Sequence, residues 1–229
     1  MTVKTLRPLI AELVGTALFV FVGAGSVVMN AALPNAVGPL GVALAHGVGL
    51  AILVTATMGI SGGHLNPAVT AGLLVARKVD GRTAATYVGA QLFGAFLGAT
   101  LVRLLLPPAA VSATSAGLPA LGDSVTFWQG VWIEAVLTFL LVSAVFGTAV
   151  SSEAPKVGGF GIGLAVFVSA LVAGPLTGAA LNPARAFGPA VVAWEPHGQA
   201  VYWIGPLLGA LFAGALWRMV LLPRDPAQI

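Results

Sequence analysis

Long apolar runs broken by short polar stretches divide the chain into six segments, about 7–29, 39–60, 82–105, 126–150, 157–176 and 199–222. Each is long enough to be a spanning helix, which needs roughly 20 apolar residues to cross a hydrocarbon core ~30 Å thick. Two further apolar runs, 67–76 and 183–194, are too short; ten helical residues rise only ~15 Å, about half that core. Both short runs open on the same phrase, Asn66-Pro67-Ala68 and Asn182-Pro183-Ala184. Asn is a favoured helix N-cap, and Pro is favoured at the first helical position, where its missing N–H costs nothing. Each phrase therefore predicts a helix start whose free backbone donors face the Asn. At membrane depth a polar helix start is tolerated only if it is buried in protein or lines a water-filled cavity. Two of them predict a pore.

The polar positions also repeat. Glu12-x-x-x-Thr16 in the first span recurs as Glu134-x-x-x-Thr138 in the fourth, and Asn66 recurs at Asn182. Gly89 and Gly98 match Gly205 and Gly214, again 116 positions on. Three spans per copy is an odd number, so the second copy enters the membrane upside down, as in many transport proteins. The expected fold is an all-α membrane protein with six transmembrane helices and two re-entrant half-helices in an inverted 3+3 repeat. Residues 1–229 form one channel domain: a first repeat at 1–106 with half-helix 67–76, a connecting extracellular loop at 107–125, and a second repeat at 126–229 with half-helix 183–194. Inversion brings the half-helices in from opposite faces to meet at mid-membrane. The connecting loop, rich in Pro, Ala and Ser, is expected over the outer vestibule. The many glycines of the spans would let helices approach closely where lipid supplies no hydrophobic drive.

Composition narrows the class. Of 229 residues 58% are hydrophobic and 7% charged, against about 25% charged in soluble domains. The first span is too long for a cleaved signal peptide. With no cysteine, disulfides, thiol catalysis and Cys-based metal sites are excluded. No basic patch interleaved with aromatics suggests nucleic acid. Lys4, Arg7, Arg77, Lys78, Arg82, Lys156, Arg218 and Arg224 fall on one side, Arg103 and Arg185 on the other. That asymmetry places both termini in the cytoplasm, and the expected location is a prokaryotic inner membrane crossed several times. Arg103 reads as a snorkelling residue at a helix end. Glu12 and Glu134, ionisable groups inside spans, are functional candidates by default; a proton relay is one reading, and their symmetrical placement, one per repeat, favours bracing.

Nearly the whole chain resembles the aquaporin family (major intrinsic proteins). The resemblance rests on Ala11-Glu12-Leu13-Val14-Gly15-Thr16, Ser61-Gly62-Gly63-His64-Leu65-Asn66-Pro67-Ala68-Val69-Thr70, Asn182-Pro183-Ala184-Arg185-Ala186-Phe187-Gly188-Pro189 and Tyr202-Trp203-Ile204-Gly205-Pro206. It implies a homotetramer in which each protomer has its own pore, with Glu12 and Glu134 receiving hydrogen bonds from the re-entrant loops and His64 shaping the first loop. Counting from the Asn-Pro-Ala phrases carries the family's filter onto His46, Ala170, Ala179 and Arg185. Arg185 matches. The strict water-channel pattern has an aromatic first, His second and often Cys third, whereas here the imidazole comes first and two alanines follow. Strict glycerol channels put two aromatics in the constriction and Asp after the Arg, where this chain has Ala186. The implied function is passive conduction of water and small neutral solutes (ammonia, urea or metalloid hydroxides such as arsenous acid), with ions and protons excluded. A strictly water-selective channel is the alternative; a glycerol facilitator fits less well. A coupled transporter would need a titratable or ion-binding cluster at the site. An intramembrane enzyme would need a nucleophile–base pair, and Ser61 and His64 share a loop but lack a third partner. No catalytic residue, cofactor or metal ligand is expected; the partners are the lipid bilayer, further copies of the chain and the permeants.

Overall fold

The computed structural model describes residues 3–33, 36–155 and 157–223; Lys156, Arg224 and the side chain of Lys4, used above for orientation, lie outside the described residues. The apolar runs become helices α1 (Val3–Ala32), α2 (Gly38–Ser61), α4 (Gly81–Leu105), α6 (Phe127–Val145), α7 (Phe160–Thr177) and α9 (Gln199–Leu216). π-helical turns at Phe146–Val150 and Trp217–Leu221 extend α6 and α9. Six of these stretches are long and apolar enough to cross a membrane. The short runs become half-helices α3 (Pro67–Val75) and α8 (Pro183–Ala193), each a residue shorter than expected because Ala76 and Trp194 cap them. No strand occurs among the described residues. The connecting loop is not shapeless: it holds α5 (Pro108–Ala113) and a 3-10 turn at Ser115–Gly117.

Local chemistry sets the ends. The Asp80 carboxylate caps α4 by accepting from the N–H groups of Arg82 and Thr83 at 2.9 and 3.0 Å. Thr126 and Gln129 form a capping box at α6. α2 and α7 both stop at a left-handed glycine, Gly62 (φ 91°) and Gly178 (φ 75°), a conformation that costs glycine nothing.

Each repeat packs its first span against its second and third, α1 on α2 and α4, α6 on α7 and α9. The repeats meet where α2 crosses α7. There a Cβ on Gly47 or on its repeat mate Gly163 would collide with the other's carbonyl oxygen. That reciprocal contact marks the pseudo-two-fold axis. The half-helices are exchanged: α3 lies on α9 and α8 on α4.

The glycine pairing expected from sequence is one residue out of register. Gly94 lies against the backbone of Leu13 and Gly209 against that of Ala135, so α4 maps onto α9 with an offset of 115 and not 116. Gly89 is exposed, and a Cβ there would meet nothing within 4 Å. The outward-facing surface of the spans carries large apolar side chains, with Ile52, Val136 and Phe212 62%, 65% and 61% exposed, as a lipid-facing surface requires.

Candidate functional site

The two helix starts meet tip to tip. Asn66 Oδ1 accepts from the Ala68 N–H at 2.8 Å, and Asn182 Oδ1 accepts from those of Ala184 and Arg185 at 3.0 and 3.3 Å. Each asparagine also reaches across: Asn66 Nδ2 donates to the Leu181 carbonyl and Asn182 Nδ2 to the Leu65 carbonyl, both at 2.9 Å. Those carbonyls are aimed inward because Leu65 and Leu181 sit in the left-handed region, at φ 50° and 52°. Such a conformation in a non-glycine residue costs of order 1–3 kcal/mol and persists only where its surroundings enforce it. A carboxamide carries two N–H groups, so one per asparagine remains for a passing oxygen. The free donors of both helix starts add a local positive potential.

Two buried carboxylates enforce the strained loops. Glu12 accepts from Ser61 Oγ (2.6 Å), His64 N (3.0 Å) and Leu65 N (2.7 Å). Glu134 accepts from the repeat equivalents Thr177 Oγ1 (2.7 Å), Ala180 N (3.0 Å) and Leu181 N (2.7 Å). Tyr87 and Tyr202 clamp the same loops, each hydroxyl donating to a carbonyl, Ser61 at 3.0 Å and Thr177 at 2.9 Å. The repeats then diverge. Gln91 Nε2 donates to Glu12 (2.7 Å) and to Thr70 Oγ1 (3.0 Å), and His64 Nδ1 lies 3.1 Å from that hydroxyl. Their mates Pro206, Ala186 and Ala180 have no side-chain donors. Ser61 and His64 thus bond to different partners and form no nucleophile–base pair.

On the side of the connecting loop, α2 and α8 bring His46 and Arg185 together. Arg185 Nε donates to His46 Nε2 at 3.4 Å, and Arg185 Nη1 donates to the Gly117 carbonyl at 2.8 Å. His46 Nδ1 lies 2.9 Å from the Val42 carbonyl. With Nε2 accepting, the ring is the neutral tautomer protonated at Nδ1, an assignment that follows from the hydrogen-bond pattern. The imidazole fits because α1 carries Gly23 there, where a Cβ would fall 2.8 Å from the ring; Phe19 stacks edge-on at 6.2 Å. His46 therefore both packs on a neighbouring helix and, with Ala170 and Arg185, lines a cavity of about 360 Å³ beneath Leu118 and Pro119 of the connecting loop. Ala179 is buried in the adjoining turn, at φ 44°.

Sequence reasoning missed several contributors. Gly117, Gln91, Tyr87, Tyr202 and Thr177 were not singled out as parts of the site. Two of them carried a signal, Gly117 as a glycine before Leu-Pro and Tyr202 within a phrase that carries the resemblance; Gly117 sits at φ 76°, and a Cβ there would collide with the Ala24 backbone. Arg103 is more than a snorkelling residue, since its Nη1 donates to the Val192 carbonyl at 3.0 Å. Among the described residues no cluster of three metal-ligating side chains occurs.

The family described as Major intrinsic protein matches residues 1–217. Aquaporin TIP4-4 of Zea mays is 45% identical, covering 96% of this chain and 91% of its own. Aquaporin-8 of Mus musculus is 41% identical, covering 94% and 82%. The aquaglyceroporin from Plasmodium falciparum shares the fold, with TM-score 0.81 over 94% of this chain and 96% of its own at 23% identity. The curated relatives named here are a plant and a rodent protein, and the expectation of a prokaryotic inner membrane gains no support from them. Six spans, two half-helices joined through reciprocal asparagine bonds, and this likeness along the whole sequence lead to one conclusion: the chain belongs to the major intrinsic protein family and is a multi-pass membrane channel, not an enzyme.

Proposed function

We propose that the chain passes water together with small neutral solutes such as ammonia, urea or metalloid hydroxides, and excludes ions and protons. The observation that carries this reading is the make-up of the outer constriction. Its polar wall is the His46–Arg185 pair, and Ala170 faces the same cavity with only a methyl group; Ala179, buried in the adjoining turn, is taken as the fourth position. A permeant exchanges water hydrogen bonds for the Arg185 guanidinium, the imidazole and the free amide N–H groups of Asn66 and Asn182. A cation gains no acceptor cage and meets Arg185 and then the positive ends of two half-helices, the principle of aquaporin-type pores generally. Pro67, Ala68, Pro183 and Ala184 hold the helix starts, Glu12 and Glu134 brace the loops, and His64 shapes the first loop. Residues 1–106 and 126–229 act as the two repeats. Arg7, Arg77, Lys78, Arg82 and Arg218 place the termini in the cytoplasm, and four protomers assemble with one lane each.

Stopped-flow light scattering on reconstituted vesicles tests the filter. Water and urea should equilibrate faster than through empty vesicles, and glycerol more slowly than urea. Water conduction with urea excluded as firmly as sucrose makes the channel strictly water-selective.

A further inference from the structure

The outer ends of the half-helices pose an accounting problem. The last carbonyls of any helix lack partners within it, and those of α3 and α8 lie where the re-entrant chain turns back. In α3 the Gly72, Leu73 and Leu74 carbonyls accept from the N–H groups of Ala76, Lys78 and Arg77 at 3.1, 2.8 and 2.9 Å. Val75 is left over, and Arg218 Nη1 donates to it at 3.1 Å. In α8 the Ala190 and Val191 carbonyls accept from Glu195 and Trp194 at 2.9 and 3.3 Å. Val192 and Ala193 are left over, and Arg103 Nη1 donates to the Val192 carbonyl at 3.0 Å. Arg103 and Arg218 are repeat mates, 115 positions apart like Tyr87 and Tyr202. Each stands at the end of a third span and caps the half-helix of the opposite repeat.

We infer that Arg103 and Arg218 are positioning residues of the conduction lane, a matched pair of cationic caps that fasten the outer ends of the half-helices and so sustain the positive field where the inner ends meet. A half-helix is a short dipole whose negative end would otherwise offset its positive one. A cation beside the negative end cancels the offset and leaves the central repulsion intact. Water transit depends on the Asn66 and Asn182 amides and responds less to that charge.

The inference rests on the channel reading above, and the experiment separates the two. Purified wild type, R103Q, R218Q, the double variant and the double lysine variant R103K/R218K are reconstituted, and water permeability and proton and potassium leak are measured on the same vesicles. In R103Q/R218Q the ratio of ion leak to water permeability should rise above wild type, with a smaller rise in each single variant, since a charge at one helix end acts at the other only in attenuated form. The lysine variant should return the ratio toward wild type. A purely structural role would lower yield and water permeability with the ratio unchanged, and that outcome overturns the inference, as does failure of lysine to restore the ratio. If the double variant does not fold, the single variants decide by the same ratio. Wild-type vesicles that shrink no faster than empty ones would defeat the channel reading itself.

Discussion

The brace at Glu134 gives the sharpest test of how the loops are held. Its carboxylate accepts from Thr177 Oγ1, Ala180 N and Leu181 N, all in a fully buried site. Glu134→Gln keeps the shape but replaces one oxygen by NH₂. Whichever way the amide turns, at least one backbone N–H then faces a donor, because Ala180 and Leu181 bind different oxygens. An orphaned buried donor costs about 1–3 kcal/mol, and the surviving bonds fall from about 1.5–3 to about 0.5–1.5 kcal/mol each without the charge. A total of about 3–5 kcal/mol is a large part of a stability that is commonly ~5–15 kcal/mol. The damage is not confined to one repeat, because the Leu181 carbonyl also receives the Asn66 amide.

Glu12→Gln should be milder, although Glu12 has one more donor. Gln91 can turn its amide so that Oε1, buried and without a partner, accepts from the new NH₂. Glu134 faces Pro206 at the equivalent position and has no such relief. Expected outcomes are a drop of roughly 10 °C in apparent Tm for Glu134→Gln, a smaller drop for Glu12→Gln, and water permeability per folded channel falling in the same order. Fluorescence-monitored melting and stopped-flow shrinkage of reconstituted vesicles measure both. If Glu134→Gln melts and conducts like wild type while proton flux alone changes, the carboxylate is a relay and the brace argument fails.

Three further outcomes follow from the same geometry. Gly23→Ala places a methyl 2.8 Å from the His46 ring; overpacking of about 1–3 kcal/mol swings the imidazole toward the lane, so urea permeability should fall more than water permeability, and an unchanged ratio would contradict that position for His46. Lacking cysteine, the wild type should conduct water unaffected by mercurials, while Ala179→Cys should gain block reversible by thiols; an insensitive Cys variant would remove Ala179 from the lane. The hydroxyl and then the N–H of Thr83 hold the Asp80 carboxyl below its ordinary pKa, so its stabilisation is complete above the ordinary value near 4 and fades as pH falls. Asp80→Ala should therefore lower the melting point at pH 7, with the gap from wild type closing on acidification; a gap independent of pH would refute the cap.

What could be read in the chain beforehand divides along a physical line. Asn66, Asn182, Glu12, Glu134 and Arg185 stand out because a polar or charged residue inside an apolar run must have a partner, and the repeat says where. The half-helices were legible from length alone. Gln91, Tyr87, Tyr202 and the caps Arg103 and Arg218 were not, because each acts through space on a segment far along the chain, and nothing local to α4 or α9 names that segment. The register slip at Gly89 has another cause: with 30 glycines in the chain, matching by residue type finds pairs at more than one offset. Contacts fix the offset: Gly94 on Leu13 mirrored by Gly209 on Ala135, and Tyr87 on Ser61 mirrored by Tyr202 on Thr177. The connecting loop was opaque because its key residue, Gly117, is defined by the Ala24 backbone beside it.

Comparing repeat mates separates architecture from selectivity. Where the copies agree, they build the frame: Glu12 with Glu134, Leu65 with Leu181, Tyr87 with Tyr202, Gly47 with Gly163, Arg103 with Arg218. Where they disagree, the two mouths differ. At the offset of 116 the proposed filter residues His46, Ala170 and Arg185 correspond to Ile162, Val54 and Val69, all three buried in the apolar core. The half away from the connecting loop instead carries the His64–Thr70–Gln91 network, whose mates are Ala180, Ala186 and Pro206. A fully symmetric pore would hold two guanidinium constrictions in series, and every permeant would pay the desolvation of both. Under the proposed function, confining the guanidinium to one mouth leaves a single narrow polar point, while the centre, built from the parts the repeats share, needs only to repel charge.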